Sequence, residues 1–331
     1  MNTTVQPSPP LPTAAQPSVA TNRSETTAFL DRFRLESIRI KTILVPLDFS
    51  RASLDALKYA TALAKKFAAA IHLVHVTAPD EAAEVAAAGH ILRQTGEALE
   101  FARENLAQTH EQHLASFWPE NSHVRSGQPY RQICDLAREI DADLIVLATR
   151  GHTGLKRVLL GSTAERVVRF APCPVLVVRR RQRAELRIRK ILVPTDFSHC
   201  AMAGLMYGAL WAKTFNAKLR LLHVLFPAAP VLIDRVAVNL PGENVGAPAD
   251  TQLEMEALTQ LDFLHGVKCE PTIRIGYAID TICGETDDAD LLVISTHGRT
   301  GWKHALIGSV AEQVVRYAEC PVMVVPSQCA R

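Results

Sequence analysis

The sequence predicts an α/β protein made of two tandem domains, each an open parallel five-stranded sheet with helices on both faces. Three observations predict it: a chain-long internal repeat, an alternation of short apolar runs with helical patterns, and length. At 331 residues and 48% hydrophobic content, the chain can bury two ordinary cores and is long for one.

The repeat fixes the organisation. "IKTILVPLDFSRASLDAL" from Ile40 is matched by "IRKILVPTDFSHCAMAGL" from Ile188, and "IHLVHV" ending at Val76 by "LRLLHV" ending at Val224. "DADLIVLATRGHTGLKRVLLGSTAERVVRFAPCPVLVV" from Asp141 is matched by "DADLLVISTHGRTGWKHALIGSVAEQVVRYAECPVMVV" from Asp288. The offset is 148 residues at Asp48/Asp196 and Val76/Val224, and 147 at Gly151/Gly298, Gly161/Gly308 and Pro174/Pro321. A period that long is a duplicated domain; solenoid units repeat every ~20–50 residues.

The elements follow in order in the first copy. "TILVPL" is a β-branched run suited to a strand buried on both faces, and Ser50 can cap a helix to about Phe67 with Leu54, Leu57 and Leu63 on its apolar side. "IHLVHV" is the second strand. An Ala/Glu-rich stretch from about Glu81 to Phe117 reads as helix, with Gly89 and Gly96 as expected interruptions. "HVRSG" gives a third strand and "PYRQICDLAREI" a helix with Pro129 in its first turn. "DLIVLA", "STAERVVRFA" and "PVLVV" complete strand, helix and strand. Strands this apolar cannot leave a face in water, so helices must cover both sides.

In the second copy the region matching the long second helix carries Pro and Gly instead, and Phe226 to about Asp250 is expected to be a long loop, a lid or partner surface being one use for it. Residues 1–37, rich in Pro, Thr, Ser and Ala, read as a disordered tail. The expected domains are residues 38–179 and 188–327, joined by a basic linker at 180–187 that overlaps "RRRQRAEL" from Arg179, which is expected to stay solvated.

Composition excludes several classes. A net charge of +2 with mixed signs gives no footprint for nucleic acid. Seven scattered cysteines without C-x-x-C spacing resemble reduced thiols, not a disulfide framework or zinc site. The apolar runs fall far short of the ~20 residues that span a bilayer, and the first cation is Arg23, with no apolar stretch of a secretory signal. No membrane association is expected, and the expected location is the cytoplasm.

Chemistry concentrates at two places in each copy. Asp48 lies just past the first strand, and the segment from Arg150 to Ser162 leaves the fourth strand with glycines and enters the last helix. Glycine lets backbone approach a ligand, and the N–H groups of a helix start favour an anion, so Gly161-Ser162-Thr163 is a candidate phosphate cradle. The competing expectation is a capping box, since Ser162 with Glu165 and Ser309 with Glu312 have S/T-x-x-E spacing. Asp48 and Asp196 could equally organise the turn before a Ser-capped helix.

These residues resemble the universal stress protein family, whose motif after the fourth strand is Gly, two residues, Gly, nine residues, Gly, then Ser or Thr. Gly151 is followed by "HTGLKRVLL" and Gly161-Ser162, and Gly298 by "RTGWKHALI" and Gly308-Ser309. The similarity spans Ile40 to Val325 and includes "ILVPLDFS", "ILVPTDFS", "CPVLVV" and "CPVMVV". It implies Rossmann-like domains, of the adenine nucleotide alpha hydrolase-like type, with strand order 3-2-1-4-5. In such a sheet strands one and four flank the winding reversal where ligands sit.

The resemblance also implies a site for an adenine nucleotide, ATP, with Mg2+ as an accompanying ion. Carried over position by position, the binding residues are Pro46, Leu47, Asp48, Val76, Gly151, Gly161, Ser162 and Thr163. In the second copy they are Pro194, Thr195, Asp196, Val224, Gly298, Gly308, Ser309 and Val310. The first motif glycine is replaced by Ala148 and Ser295, and Leu47 stands where the second copy has Thr195, so the pockets need not be equivalent. Arg150, Lys156 and Arg157, or Arg299 and Lys303, are candidate phosphate cations, with the plain alternative that they are simply solvated.

Neither P-loop nor G-x-G-x-x-G spacing occurs. His75 and His223, inside apolar runs, read as structural histidines and not general bases, and His152 occurs in one copy only. With no acid–base pair to name, at most slow ATP hydrolysis is expected. Two function classes follow: an ATP-dependent stress regulator whose occupancy changes a surface for a regulatory protein partner, or a nucleotide-free interaction or chaperone-like module. Fifth-strand pairing, common in the family, is expected to join "PVLVV" to "PVMVV" within the chain, with homodimerisation as the intermolecular counterpart.

Overall fold

The computed structural model describes residues 39–77, 88–114, 121–149, 160–179, 186–226, 231–233, 236–238, 248–296 and 308–326. All of them belong to one compact unit, Leu35–Arg331.

In the first copy β1 (Thr42–Pro46), β2 (Ala70–Thr77), β3 (Ser122–Ser126), β4 (Leu144–Ala148) and β5 (Val175–Val178) alternate with α1 (Arg51–Phe67), α2 (Ala88–Leu114), α3 (Pro129–Glu139) and α4 (Ser162–Phe170). The second copy has β6 (Lys190–Thr195), α5 (His199–Phe215), β7 (Lys218–Leu225), a β8/β9 pair (Val231–Ile233, Val236–Val238) and α6 (Ala249–Thr259). It continues with β10 (Lys268–Ile275), α7 (Ala278–Gly284), β11 (Leu291–Ser295), α8 (Ser309–Tyr317) and β12 (Val322–Val325).

Ten strands form one sheet in the order β10-β7-β6-β11-β12-β5-β4-β1-β2-β3, so each copy runs 3-2-1-4-5. Within this sheet each copy pairs its own strands parallel. The copies join through an antiparallel seam, β12 on β5, with Val322, Met323 and Val324 opposite Val177, Leu176 and Val175. All four residues of β5 and of β12 are buried, which is why these runs carry no polar alternation.

Asp143 begins the first copy's register: its carboxylate accepts from the backbone N–H of Lys41 and Thr42 at 2.7 and 2.9 Å, beside the start of β1. Asp290 does the same for Arg189 and Lys190 at 2.7 and 3.0 Å. On one face α1 and α5 meet across the copies, Phe67 lying 5.4 Å from Trp211 and 6.0 Å from Phe215 between ring centroids. The other face holds a core shared by both copies, including Ile145, Val167 and Val177 with Leu292, Val314 and Val322.

Two local expectations are corrected. Gly89 and Gly96 do not interrupt α2, which runs unbroken through both; a Gly in a helix costs only ~1 kcal/mol, and packing of α2 on β2 and β3 offsets it. The stretch after Phe226 is not wholly loop, because β8 and β9 pair antiparallel, Val231 opposite Val238 and Ile233 opposite Val236. The N-terminal tail and most of the basic linker lie outside the described residues.

Candidate functional site

Beyond β1 the chain turns through Asp48-Phe49-Ser50. Phe49 has φ 60°, in the left-handed region, and the Asp48 Oδ1 accepts the Ser50 N–H at 3.0 Å. Ser50 then caps α1, its Oγ accepting the Ser53 N–H at 3.2 Å. The second copy repeats the turn: Phe197 has φ 62°, Ser198 N–H donates to Asp196 Oδ1 at 3.0 Å, and Ser198 Oγ accepts from Ala201 at 3.2 Å. The aspartates therefore do organise the turn, and the same geometry leaves them at the sheet's carboxyl edge.

The left-handed phenylalanine is held from the next strand. His75 Nδ1 lies 2.7 Å from the Leu47 carbonyl, and its ring stacks on Phe49 at 4.6 Å. His223 Nδ1 lies 2.8 Å from the Thr195 carbonyl, with its ring 4.4 Å from Phe197. A carbonyl only accepts, so Nδ1 carries the proton in both. The histidines tie strand two to the turn after strand one, the structural role read from the sequence.

On the other side of the reversal, β4 and β11 end at Ala148 and Ser295. Gly161 N–H donates to the Thr149 carbonyl at 2.9 Å, and Gly308 N–H to the Thr296 carbonyl at 2.6 Å, drawing the two ends of each glycine-bearing segment together. Gly161 and Gly308, extended at φ −62° and −58°, are the N-caps of α4 and α8, with no side-chain capping bond. The capping box is thereby overturned. Ser162 and Ser309 stand one position inside the helix, the cap N–H is already used, and Glu165 and Glu312 reach Arg316 and Arg169 of the other copy. The first-turn N–H groups have no helical acceptor by construction.

Each copy encloses a cavity at this edge. The first, of about 320 Å³, is lined by Pro46, Leu47, Asp48, Val76, Gly161, Ser162 and Thr163, together with Ser53, Ala148 and Thr149. The second, of about 310 Å³, is lined by Pro194, Thr195, Asp196, Val224, Gly308, Ser309 and Val310, together with Ser295, Thr296 and Ala278. Both volumes sit at the lower end of the ~300–1,000 Å³ of small-molecule sites. Gly151, Gly298, His152 and the candidate cations Arg150, Lys156, Arg157, Arg299 and Lys303 lie outside the described residues.

Sequence reasoning missed Ser53, Thr149 and Thr296 as cavity wall, though S-x-x-S after Asp48 and the Thr or Ser-Thr ending of strand four were visible signals. Leu47 and Thr195 make the cavities unequal: Thr195 Oγ1 accepts the Phe197 N–H at 3.1 Å, a bond leucine cannot form. Two cysteines of the second copy show no sign of an activated thiolate. Burial, then the nearby Asp196 carboxylate, pushes the Cys200 thiol up, and burial with Asp280 does the same to Cys283. Among the described residues no group of three or more His, Cys, Asp or Glu is placed to hold a metal. Nor, among them, is any helix long and apolar enough to cross a membrane.

Comparison with known proteins gives the lineage. The family model "Universal stress protein family" matches residues 39–179 and again 187–326. A universal stress protein of Methanocaldococcus jannaschii is 37% identical over 149 residues, 42% of this chain and 82% of that protein. A universal stress protein of Mycolicibacterium smegmatis is 26% identical over 304 residues, 86% of this chain and 96% of that one. The crystal structure of a universal stress protein from Archaeoglobus fulgidus superposes with TM-score 0.65 at 20% identity, covering 88% of this chain and 98% of that one.

Proposed function

The chain belongs to the universal stress protein family, and we propose that it binds an adenine nucleotide, ATP, in both cavities and acts as a regulatory binding switch. The observation that carries this reading is the start of α4 and α8. A glycine N-cap without side-chain partner and a following serine line a cavity whose opposite wall is the Pro-x-Asp segment and a strand-two valine. A helix start of that kind favours phosphate, and apolar walls suit a base.

The residues divide the work. Gly161, Ser162 and Thr163, or Gly308, Ser309 and Val310, would hold phosphate oxygens with backbone N–H and hydroxyl groups. Val76 or Val224 would border the base, and Asp48 or Asp196, at the edge of the turn, would meet the sugar hydroxyls. For Mg2+ the described residues supply no ligand cluster, and no step is assigned to it. On this reading occupancy, and not hydrolysis, would be the signal to a protein partner.

One observation favours the nucleotide-free reading. Ala148 and Ser295 line the cavities where the family motif has its first glycine, placing a Cβ where none is expected. Equilibrium dialysis of ATP against chain purified without nucleotide decides between them. Retained ATP, lost in Gly161→Val with Gly308→Val, is the expected result. An empty dialysis with folded wild-type chain would overturn the proposal in favour of the interaction module.

A further inference from the structure

Phe226 and Tyr277 are 69% and 54% exposed, yet they are packed on each other edge to face, ring centroids 5.4 Å apart at 81°. Exposed rings held together beside cavity-lining residues differ from a stray surface aromatic. Their position follows from the sheet. β7 and β10 run parallel with Leu225 opposite Ile275, and the Gly276 N–H donates to the Leu225 carbonyl at 2.9 Å. Phe226 follows Leu225 and Tyr277 follows Gly276, both just past the strand ends. Val224 and Ala278, their near neighbours in sequence, both line the second cavity.

Neither ring itself lines that cavity; the pair stands just beyond its β7–β10 side, next to Val224 and Ala278, which do. In the order β10-β7-β6-β11, two strand intervals separate β7 from β11, which leads to the Gly308 helix start. At ~4.8 Å per interval this is roughly 10 Å. A ligand of that length with its anionic group at Gly308-Ser309 would bring its other end toward the β7–β10 side, where the two rings stand.

The first copy makes the same junction without the rings. Gly127 N–H donates to the Thr77 carbonyl at 3.0 Å, and Pro129 lines the cavity as Ala278 does. The residues that follow Thr77 and Gly127 are Ala78 and Gln128.

We propose that Phe226 and Tyr277 form a stacking platform, peculiar to the second copy, for the planar ring of a nucleobase-bearing ligand. This makes the second cavity the more selective for the base over a simple polyphosphate. The inference rests on the nucleotide reading above and names the base-recognition element of one of its two sites.

Titration calorimetry in the Gly161→Val background, which leaves the second cavity, tests it with two probes, ATP and inorganic triphosphate. Phe226→Ala with Tyr277→Ala should weaken ATP roughly tenfold and leave triphosphate unchanged, while Tyr277→Phe keeps ATP affinity. Unchanged ATP affinity in the double variant, or equal loss of both probes, overturns the platform while the nucleotide site stands. Absence of ATP binding by the unmodified chain overturns both. Both rings are exposed, so their removal spares the core, and circular dichroism of the variants checks this.

Discussion

Arg316 of the second copy's last helix lies 3.8 Å from Glu165 of the first copy's, and the reciprocal pair, Arg169 with Glu312, lies at 3.9 Å. Residues related by the repeat offset thus exchange partners, as in a two-fold dimer. The side chains remain about a quarter to a third exposed, so each pair contributes less than about 1 kcal/mol. Cohesion comes instead from the β5/β12 seam between them and the apolar packing on both of its faces.

Val177, 1% exposed and opposite Val322, therefore decides the domain pairing. Val177→Lys should cost roughly 3 kcal/mol or more, from lost apolar burial and an unpaired cation. Small-angle scattering should show the two halves separating, whereas Arg316→Ala should leave the scattering profile intact.

Gly208 of α5 stands where α1 has Ala60, and a Cβ on it would come 2.6 Å from Val193 Cγ2. Gly208→Ala gains about 1 kcal/mol of helix propensity but overpacks a buried contact at about 1–3 kcal/mol. A net loss near 1 kcal/mol in denaturant unfolding is expected. A stabilised variant would show that Val193 moves aside freely.

His72 and His123, on β2 and β3, lie 3.1 Å apart between ring nitrogens. Burial first and the neighbouring ring second hold His72 below its ordinary value; burial and then Arg125 do so for His123, against a weaker opposing pull from Glu139. Both pKa values are depressed on folding, so the unfolded chain binds more protons near pH 6. Stability is full above ~6.5 and falls as the pH drops below it. Denaturation midpoints at pH 7.5 and 5.5 should differ in that sense, and His123→Gln should flatten the difference.

The apolar strand runs and the duplicated register were legible because parallel strands buried on both faces must be written in Val, Ile and Leu. Asp48 was legible at the cavity for the same reason, since it follows such a run, and Gly161 through the spacing of glycines after the fourth strand. The cap was not. Spacing alone placed Ser162 at the N-cap, and only the Gly161–Thr149 bond and the cross-copy pull on Glu165 show why glycine takes it. The β8/β9 pair was hidden by Pro and Gly on either side. Phe226 and Tyr277 are 51 positions apart, and nothing local announces that β7 and β10 bring them side by side.

Because the halves share one polypeptide, their union is unimolecular and dilution cannot undo it. Each half meets its sibling at the β5/β12 seam without the need of a second chain. Differences such as Leu47 against Thr195, or Phe226 against Ala78, then stand on one side alone, and a two-fold arrangement presents two unlike faces.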